Sequence, residues 1–319
     1  MKNKNILVTG GTGSFGKKFV DLVLQNYSPK KIIVFSRDEM KQWEMAEKYK
    51  LDNRIKFIIG DVRDKDRLAR AVDNVDYVVH AAATKIVPTA ETNPFEAIKT
   101  NIIGAMNVID VSIDKKIKKV VALSTDKASN PSNLYGATKL ASDKLFLANN
   151  YNSKKNITKF SIVRYGNVIG SRGSVIPFFL SELKKKNKLS ITDVRMTRFM
   201  ITLDEAVKFV SHVIKDMKGG EIYVKKLPSM NIMDIAKAID SKFKYKLIGI
   251  RPGEKLHEQM ISHEDAENTY EYKDYYKIVE GYNLKKKKVK PSFFYSSNNN
   301  KKWMNSSSLK KILKKNKIL

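Results

Sequence analysis

Residues Ser124 to Lys139 read STDKASNPSNLYGATK and hold four side chains able to do chemistry together: Asp126, Lys127, Tyr135 and Lys139. Tyr135 and Lys139 stand four residues apart on an expected helix, so phenol and ammonium share one face. A cation beside a phenol favours the phenolate, and the first helical turn adds partial positive charge in the same sense. The expectation is a tyrosine with a lowered pKa that takes a proton from an alcohol near neutral pH. Such a group is needed when an alcohol is oxidised by hydride transfer to a nicotinamide. Asp126 and Lys127 set an acid and an amine side by side just before it. A Tyr-x-x-x-Lys pair alone is an ordinary feature of helix surfaces, so its meaning depends on the elements around it.

Those elements alternate. An apolar strand, Val120 to Leu123, leads into the stretch, and Asn130-Pro131 with Asn133 makes a turn before the helix. At the start of the chain, Lys4 to Thr9 is a strand running into Gly10-Gly11-Thr12-Gly13-Ser14-Phe15-Gly16, then a helix. A glycine-rich turn between strand and helix lets backbone amides approach a pyrophosphate at the helix N-terminus. The second strand, Lys31 to Phe35, ends at Ser36-Arg37-Asp38. There a carboxylate would bind the ribose of NAD, or an arginine the 2′-phosphate of NADP. Ser36 and Arg37 point to NADP, and Asp38 keeps NAD open. A third strand, Ile55 to Gly60, ends at Asp61-Val62, placed for an adenine amine and ring. A fourth, Val75 to Ala83, carries small residues including Ala81 and leads to Lys85. A helix from Thr100 to Ile113 and strands at Lys118–Leu123 and Ile157–Arg164 complete a doubly wound, Rossmann-type parallel sheet. Every polar motif falls at a strand's carboxyl end, where ligands of such sheets sit.

The chain has 319 residues, 42% of them hydrophobic, enough for a sizeable core. It has no cysteine, which excludes disulfides and thiolate metal sites, and its four histidines lack metal-ligand spacing, so no metal is expected. No apolar run or leader signal stands out, so a cytoplasmic protein without membrane contact is expected. The net charge is +28. Most lysines are dispersed as ordinary exposed surface, apart from Lys184–Lys186, Lys285–Lys288 and the last ten residues, and aromatics are not interleaved with them. The expectation is no nucleic-acid partner and some attraction for a phosphorylated substrate.

The second half is less regular. Strand six ends at Arg164-Tyr165-Gly166-Asn167, and a glycine-rich loop leads to a helix near Pro177. Arg251-Pro252-Gly253-Glu254-Lys255 reads as a turn ahead of a further helix. Residues 1–170 are expected to bind the dinucleotide and 171–319 mainly the substrate, interleaved with the first. Ser292–Lys302 reads as loose. Residues 285–319 read as a flexible basic tail, with either a short amphipathic helix or disorder at Lys310–Leu319.

Together the segments LVTGGTGSFG, FSRDEMKQ, GDVRD, HAAATK, LSTDKASNPSNLYGATKLASDK, RYGNVIGSRGSVIPFF, MTRFMI and RPGEKLHE resemble the extended short-chain dehydrogenase/reductase superfamily of nucleotide-sugar enzymes. Within it the chain, from Asn5 to about Tyr276, most resembles the inverting UDP-N-acetylglucosamine 4,6-dehydratases, the first enzymes of pseudaminic acid synthesis. The informative pair is Asp126-Lys127. Retaining dehydratases have Asp-Glu there, and 4-epimerases have neither. Thr84 departs from the family, which carries leucine.

The resemblance implies NADP as cofactor, bound by Gly10, Thr12, Gly13, Ser14, Phe15, Gly16, Ser36, Arg37, Asp61, Val62, Ala81, Lys85, Tyr135 and Lys139. It implies a UDP-sugar substrate held by Lys85, Thr125, Asn167, Arg172, Arg198 and Arg251, with the two last arginines on the diphosphate. It implies a homo-oligomer, up to a hexamer. In the implied reaction Tyr135, helped by Lys139, takes the O4 proton as hydride leaves C4. Lys127 removes the C5 hydrogen as a neutral amine of lowered pKa, and Asp126 protonates the departing O6. Those last demands oppose each other in adjacent residues, because carboxylate and ammonium stabilise each other's charge, so a shared proton is expected. The rivals are a UDP-sugar 4-epimerase or a retaining dehydratase on this fold, and, more remotely, a non-catalytic NADP-binding protein with a basic partner surface.

Overall fold

Residues 1–151, 157–186, 188–281 and 283–319 are described by the computed structural model. Its centre is a nine-stranded sheet. The first six strands are β1 (Asn5–Thr9), β2 (Lys31–Ser36), β3 (Ile55–Ile59), β4 (Tyr77–His80), β5 (Lys119–Thr125) and β6 (Lys159–Tyr165). They lie in the order β3-β2-β1-β4-β5-β6, all parallel, and strand Glu221–Lys225 continues parallel beside β6. Strands Tyr275–Val279 and Thr269–Glu271 then close the edge antiparallel. Helices on both faces bury the strands, which explains the unbroken apolar runs: Ile6, Leu7 and Val8 are all fully buried. The strand order reverses between β1 and β4, so the crevice opens at their carboxyl ends.

Several boundaries differ from the sequence expectation. β4 ends at His80 rather than Ala83, because the Thr9 hydroxyl accepts the N–H groups of Ala81 and Ala82 and draws the chain out of the ladder. The helix expected from Thr100 begins instead with a wide turn, Lys99–Ile103, before the regular helix Gly104–Asp114. That turn points Asn101 inward, where its side chain holds both the N–H and C=O of Thr84 and donates to Thr138. The departure at Thr84 is therefore fixed through its backbone.

A second apolar cluster sits beside the sheet. Ile176, Phe179 and Met200 meet Met230 and Ile235 there, and Leu309 and Leu313 cover them. The last two belong to helix Ser306–Lys315, capped by Asn305. Of the two readings of the chain end, the short amphipathic helix is the one that forms, beginning at Ser306 rather than Lys310, and it replaces the flexible-tail reading of 285–319: a leucine pair at i, i+4 gives the helix an apolar face, and burying it orders the segment. Ser292–Lys302 is likewise tied in, with strand Tyr295–Ser296 pairing antiparallel to strand Gln259–Ile261. The helix expected directly after Lys255 does not form there, and the next one is the single turn His263–Ala266. The chain runs extended into Gln259–Ile261 instead. In the run Lys285–Lys288, Lys286 and Lys288 lie over the rings of Tyr272 and Tyr270. Among the described residues no helix is long and apolar enough to cross a membrane.

Candidate active site

β5 delivers Thr125 to the crevice, and the chain then tightens into a single turn, Asp126–Ala128. The Thr125 hydroxyl accepts from the Lys127 N–H and donates to Asp126 Oδ1 at 3.1 Å, fixing the acid beside the amine. Asn130 adopts φ +49°, and Asn133 caps the next helix by accepting from the Gly136 N–H at 2.8 Å. Helix Leu134–Tyr151 can then pack against the turn only because residue 136 is glycine. A Cβ there would meet the Lys127 carbonyl at 2.3 Å. Tyr135 is thereby set over Thr125, whose side chain it hydrogen-bonds.

The electrostatics of this group differ from expectation in two ways. Burial pushes the Tyr135 phenol up to about 12, not down. The cation that opposes this is Lys127, not Lys139. Lys139 is buried against Asp143, which Arg164 pairs at 3.5 Å and Ser124 bonds at 2.6 Å. The second difference concerns Lys127. Burial works against its charge, but Asp126 at 3.1 Å and Glu258 at 2.8 Å together hold it above the ordinary lysine range. The lowered lysine pKa expected of a base is absent, because a second carboxylate was not foreseen. Asp126, by contrast, is raised as an acid should be. Burial is the main cause, with Glu258 adding to it and Lys127 opposing.

Glu258 is the residue that sequence reasoning missed. It lies within RPGEKLHE, but a segment read as turn and helix gave no reason to aim one of its two glutamates inward. The structure seats this segment on the catalytic turn. Asn133 and Ser132 bond the Gly253 carbonyl, and Lys255 bonds the Ser129 carbonyl. Behind it, Ser297 fixes the residue 258 backbone in both directions, accepting from its N–H through Oγ and donating to its carbonyl through N–H.

Thr125, Asp126, Lys127, Tyr135, Lys139 and Glu258 line one cavity of about 1310 Å³, larger than a single small ligand needs. The structure brings nearly every expected site residue to its wall: Gly10, Gly13, Ser14, Phe15 and Gly16 from the first turn, and Ser36, Arg37, Asp61 and Val62 from β2 and β3. Ala81, Lys85, Thr125, Tyr135 and Lys139 follow, with Asn167, Arg172, Arg198 and Arg251 from the second half. Thr12 is the exception. It is buried behind the turn, and its carbonyl accepts from Arg172 at 3.1 Å. Arg172 thus closes onto the glycine turn, and Lys85 bonds the Arg172 carbonyl at 2.9 Å.

The glycine turn fits a dinucleotide. Helix Ser14–Asn26 has no side-chain cap and no acid in its first turn, so its N–H groups are left for an anion. Gly10 has φ +65°, and a Cβ there would strike the Ala82 nitrogen at 2.9 Å. At β2, Asp38 caps helix Glu39–Tyr49 and also pairs with Lys41, so its carboxylate is committed. The Arg37 side chain is 60% exposed at the cavity, 3.6 Å from Asp61. Burial would raise Asp61, but Arg63 and then Arg37 hold it below the usual carboxylate range.

The arginines expected on a diphosphate are also partly engaged. Arg198 donates to the carbonyls of Thr197, Lys255 and Leu256 and faces Glu258 at 3.7 Å, so it braces the 255–258 segment. Arg251 is exposed and pairs with Glu254 at 2.9 Å. Among the described residues seven buried side-chain atoms have no hydrogen-bond partner, and three of them are Asp126 Oδ2, Asn167 Oδ1 and Glu258 Oε2. All three residues line the cavity, as a polar ligand would require.

Comparison with known proteins agrees with this geometry. The family described as polysaccharide biosynthesis protein matches residues 6–280. A UDP-N-acetylglucosamine 4,6-dehydratase (inverting) of Campylobacter jejuni is 57% identical over 86% of this chain and 82% of its own length. A UDP-glucose 4-epimerase of Rickettsia canadensis is 44% identical over 86% of this chain and 83% of its own. Among solved structures, Pen from Bacillus thuringiensis superposes with a TM-score of 0.93 at 39% identity, covering 100% of this chain and 99% of that one. DesIV, a dTDP-glucose 4,6-dehydratase of Streptomyces venezuelae with NAD and TYD bound, shares the fold at TM-score 0.72 and 24% identity, over 79% of this chain and 86% of its own.

Proposed function

The chain belongs to the polysaccharide biosynthesis protein family, and we propose that within it the protein is an inverting UDP-N-acetylglucosamine 4,6-dehydratase, a hydro-lyase. The observation that carries this reading is the contact of Asp126 with Lys127 beside Tyr135 in one cavity wall. Asp-Lys is the pair that the inverting enzymes show by resemblance.

A nicotinamide dinucleotide is held by the Gly10–Gly16 turn and the end of β2. When bound there, such a group would supply reversible hydride transfer to the site. The remaining work falls to this chain. Tyr135 handles the O4 proton, with Thr125 hydrogen-bonded to the phenol and the Lys127 cation favouring its ionised form. The 4-ketone acidifies the C5 hydrogen, which Lys127 removes. Asp126, kept protonated by burial, gives its proton to O6 as water leaves. Asn167, Arg172 and Arg251 contact the nucleotide sugar.

We read the cofactor as NADP. The Asp38 carboxylate is committed to its helix, whereas Arg37 is available to a 2′-phosphate. By resemblance the product enters pseudaminic acid synthesis, made by a cytoplasmic homo-oligomer.

The test is proton NMR of the purified protein with UDP-N-acetylglucosamine in D2O, without added cofactor. A new 6-methyl signal with deuterium at an inverted C5 is expected, together with NADP in the heat-released extract. A methyl product of unchanged C5 configuration would overturn the inverting role. UDP-N-acetylgalactosamine would favour the 4-epimerase reading that the Rickettsia relatives raise.

A further inference from the structure

Two carboxylates and one ammonium meet in the wall of the cavity. Asp126 is 1% exposed and Glu258 2%, and both contact Lys127 Nζ, at 3.1 and 2.8 Å. Lys127 is shared between the two carboxylates, and the further cations lie on the Glu258 side, so the carboxyl that keeps a proton is set by its surroundings. Glu258 faces Lys127, then Arg198 and Lys255. Asp126 has Lys127 as its main cation, with Lys255 a weaker one and Glu258 a like charge. The negative charge therefore rests on Glu258 and the proton on Asp126.

This leaves the base to be explained. An ammonium cannot remove hydrogen from C5 until it has lost a proton of its own. Within hydrogen-bond reach of Nζ, the ionised acceptor is Glu258 Oε1, while Asp126 already holds a proton. Resting on the dehydratase reading, we propose that Glu258 completes the proton-transfer group: its carboxylate takes a proton from the Lys127 ammonium, leaving Lys127 as the amine that acts on C5 and Asp126 free to serve O6. In this step one N–H bond breaks, one O–H bond forms, and a positive and a negative charge become two neutral groups. The step follows oxidation at C4, once the Lys127 cation has served Tyr135, and the water-poor cavity lowers the cost of turning this contact ion pair into two neutral groups. Glu258 is fixed for the task by Ser297 from the C-terminal segment and by the stitching of 253–255 to the catalytic turn.

The test is the pH dependence of product formation by Glu258→Gln, followed through the 6-methyl signal and expressed as a ratio to the unaltered enzyme. Taking the ratio removes the shared demand of Tyr135. At pH 7 the variant is expected to lose about 100-fold or more. Its ratio should then climb by about tenfold per pH unit toward alkaline pH, as solvent deprotonates Lys127 in place of the missing carboxylate. A loss equal at every pH would show that Glu258 only shapes the site, and would overturn the proposal, as would near-normal activity. Glu258→Asp keeps a carboxylate and should show a lowered but level ratio. If Glu258→Gln does not fold, a ratio for Glu258→Asp that climbs with pH is the overturning result. If the unaltered protein makes no 6-methyl product, the dehydratase reading fails instead. Acetic anhydride labelling of Lys127 against pH then still decides the pairing: Glu258→Gln must shift the labelling curve to lower pH, and an unmoved curve refutes it.

Discussion

The side chains of the catalytic turn carry distinct tasks, and substitution should separate them. Tyr135 serves O4 and Lys127 serves C5, so removing the first blocks every step, while removing the second blocks those after the ketone and only slows the first, by leaving Tyr135 higher. Tyr135→Phe should abolish both dehydration and reduction of the bound nicotinamide by substrate. Lys127→Ala should lower dehydration by about 1000-fold yet still let substrate reduce the nicotinamide, seen as absorbance at 340 nm in a single turnover. Dehydration by Lys127→Ala at close to the normal rate would remove Lys127 from the role of base. The burial that pushes Tyr135 up to about 12 also means that its phenol is protonated in the ligand-free site at neutral pH, and that losing the Lys127 cation raises it further.

Among the elements, the C-terminal strand and helix matter most beyond the parallel sheet. Strand Tyr295–Ser296 and Ser297 hold the backbone of Glu258, and helix Ser306–Lys315 covers the second apolar cluster through Leu309 and Leu313. Leu309→Ala should cost about 2–5 kcal/mol of stability, the usual range for emptying a fully buried leucine site. Urea denaturation would show a lower midpoint with an unchanged slope. An unchanged midpoint would mean that the helix contributes nothing to the cluster it covers. The neighbouring run Lys285–Lys288 is basic, but two of its lysines are laid on tyrosine rings of the same chain.

Across the whole molecule, stability should depend on pH through His80, which joins β1 to β4. Its Nδ1 pairs with the Thr9 hydroxyl at 2.8 Å, and burial, with Lys139 adding, pulls it from 6.5 down to about 3. The unfolded chain takes up this proton below about pH 6.5, while the folded one resists it until about pH 3. The stability that His80 contributes is thus present above pH 6.5 and is lost as pH falls toward 3. Asp126 and Asp143, both raised chiefly by burial, act in the opposite direction, so the comparison must be between variants. The urea midpoint of His80→Gln should fall less between pH 7 and pH 4 than that of the unaltered protein. Parallel falls would show that His80 does not set the acid limb.

The parallel sheet, the glycine turn and the Asp-Lys and Tyr-Lys pairs were legible along the chain, because each is local. Apolar runs bounded by glycine and asparagine turns declare strands and helices, and a four-residue spacing declares a shared helical face. What was not legible there was charge state. The expected help of Lys139 to Tyr135 and the expected neutral Lys127 both failed for one reason: a pKa is set by burial and by neighbours distant along the chain. Glu258 reaches Lys127 only because an extended segment, not a helix, follows Lys255, and because the C-terminal strand pins it. At the chain end an amphipathic helix was legible as one of two readings, but its many lysines left disorder open, because the burial partners of its leucine pair, Met230 and Ile235, lie about 80 residues earlier. Local spacing named the reacting groups, while tertiary packing decided which of them holds the proton.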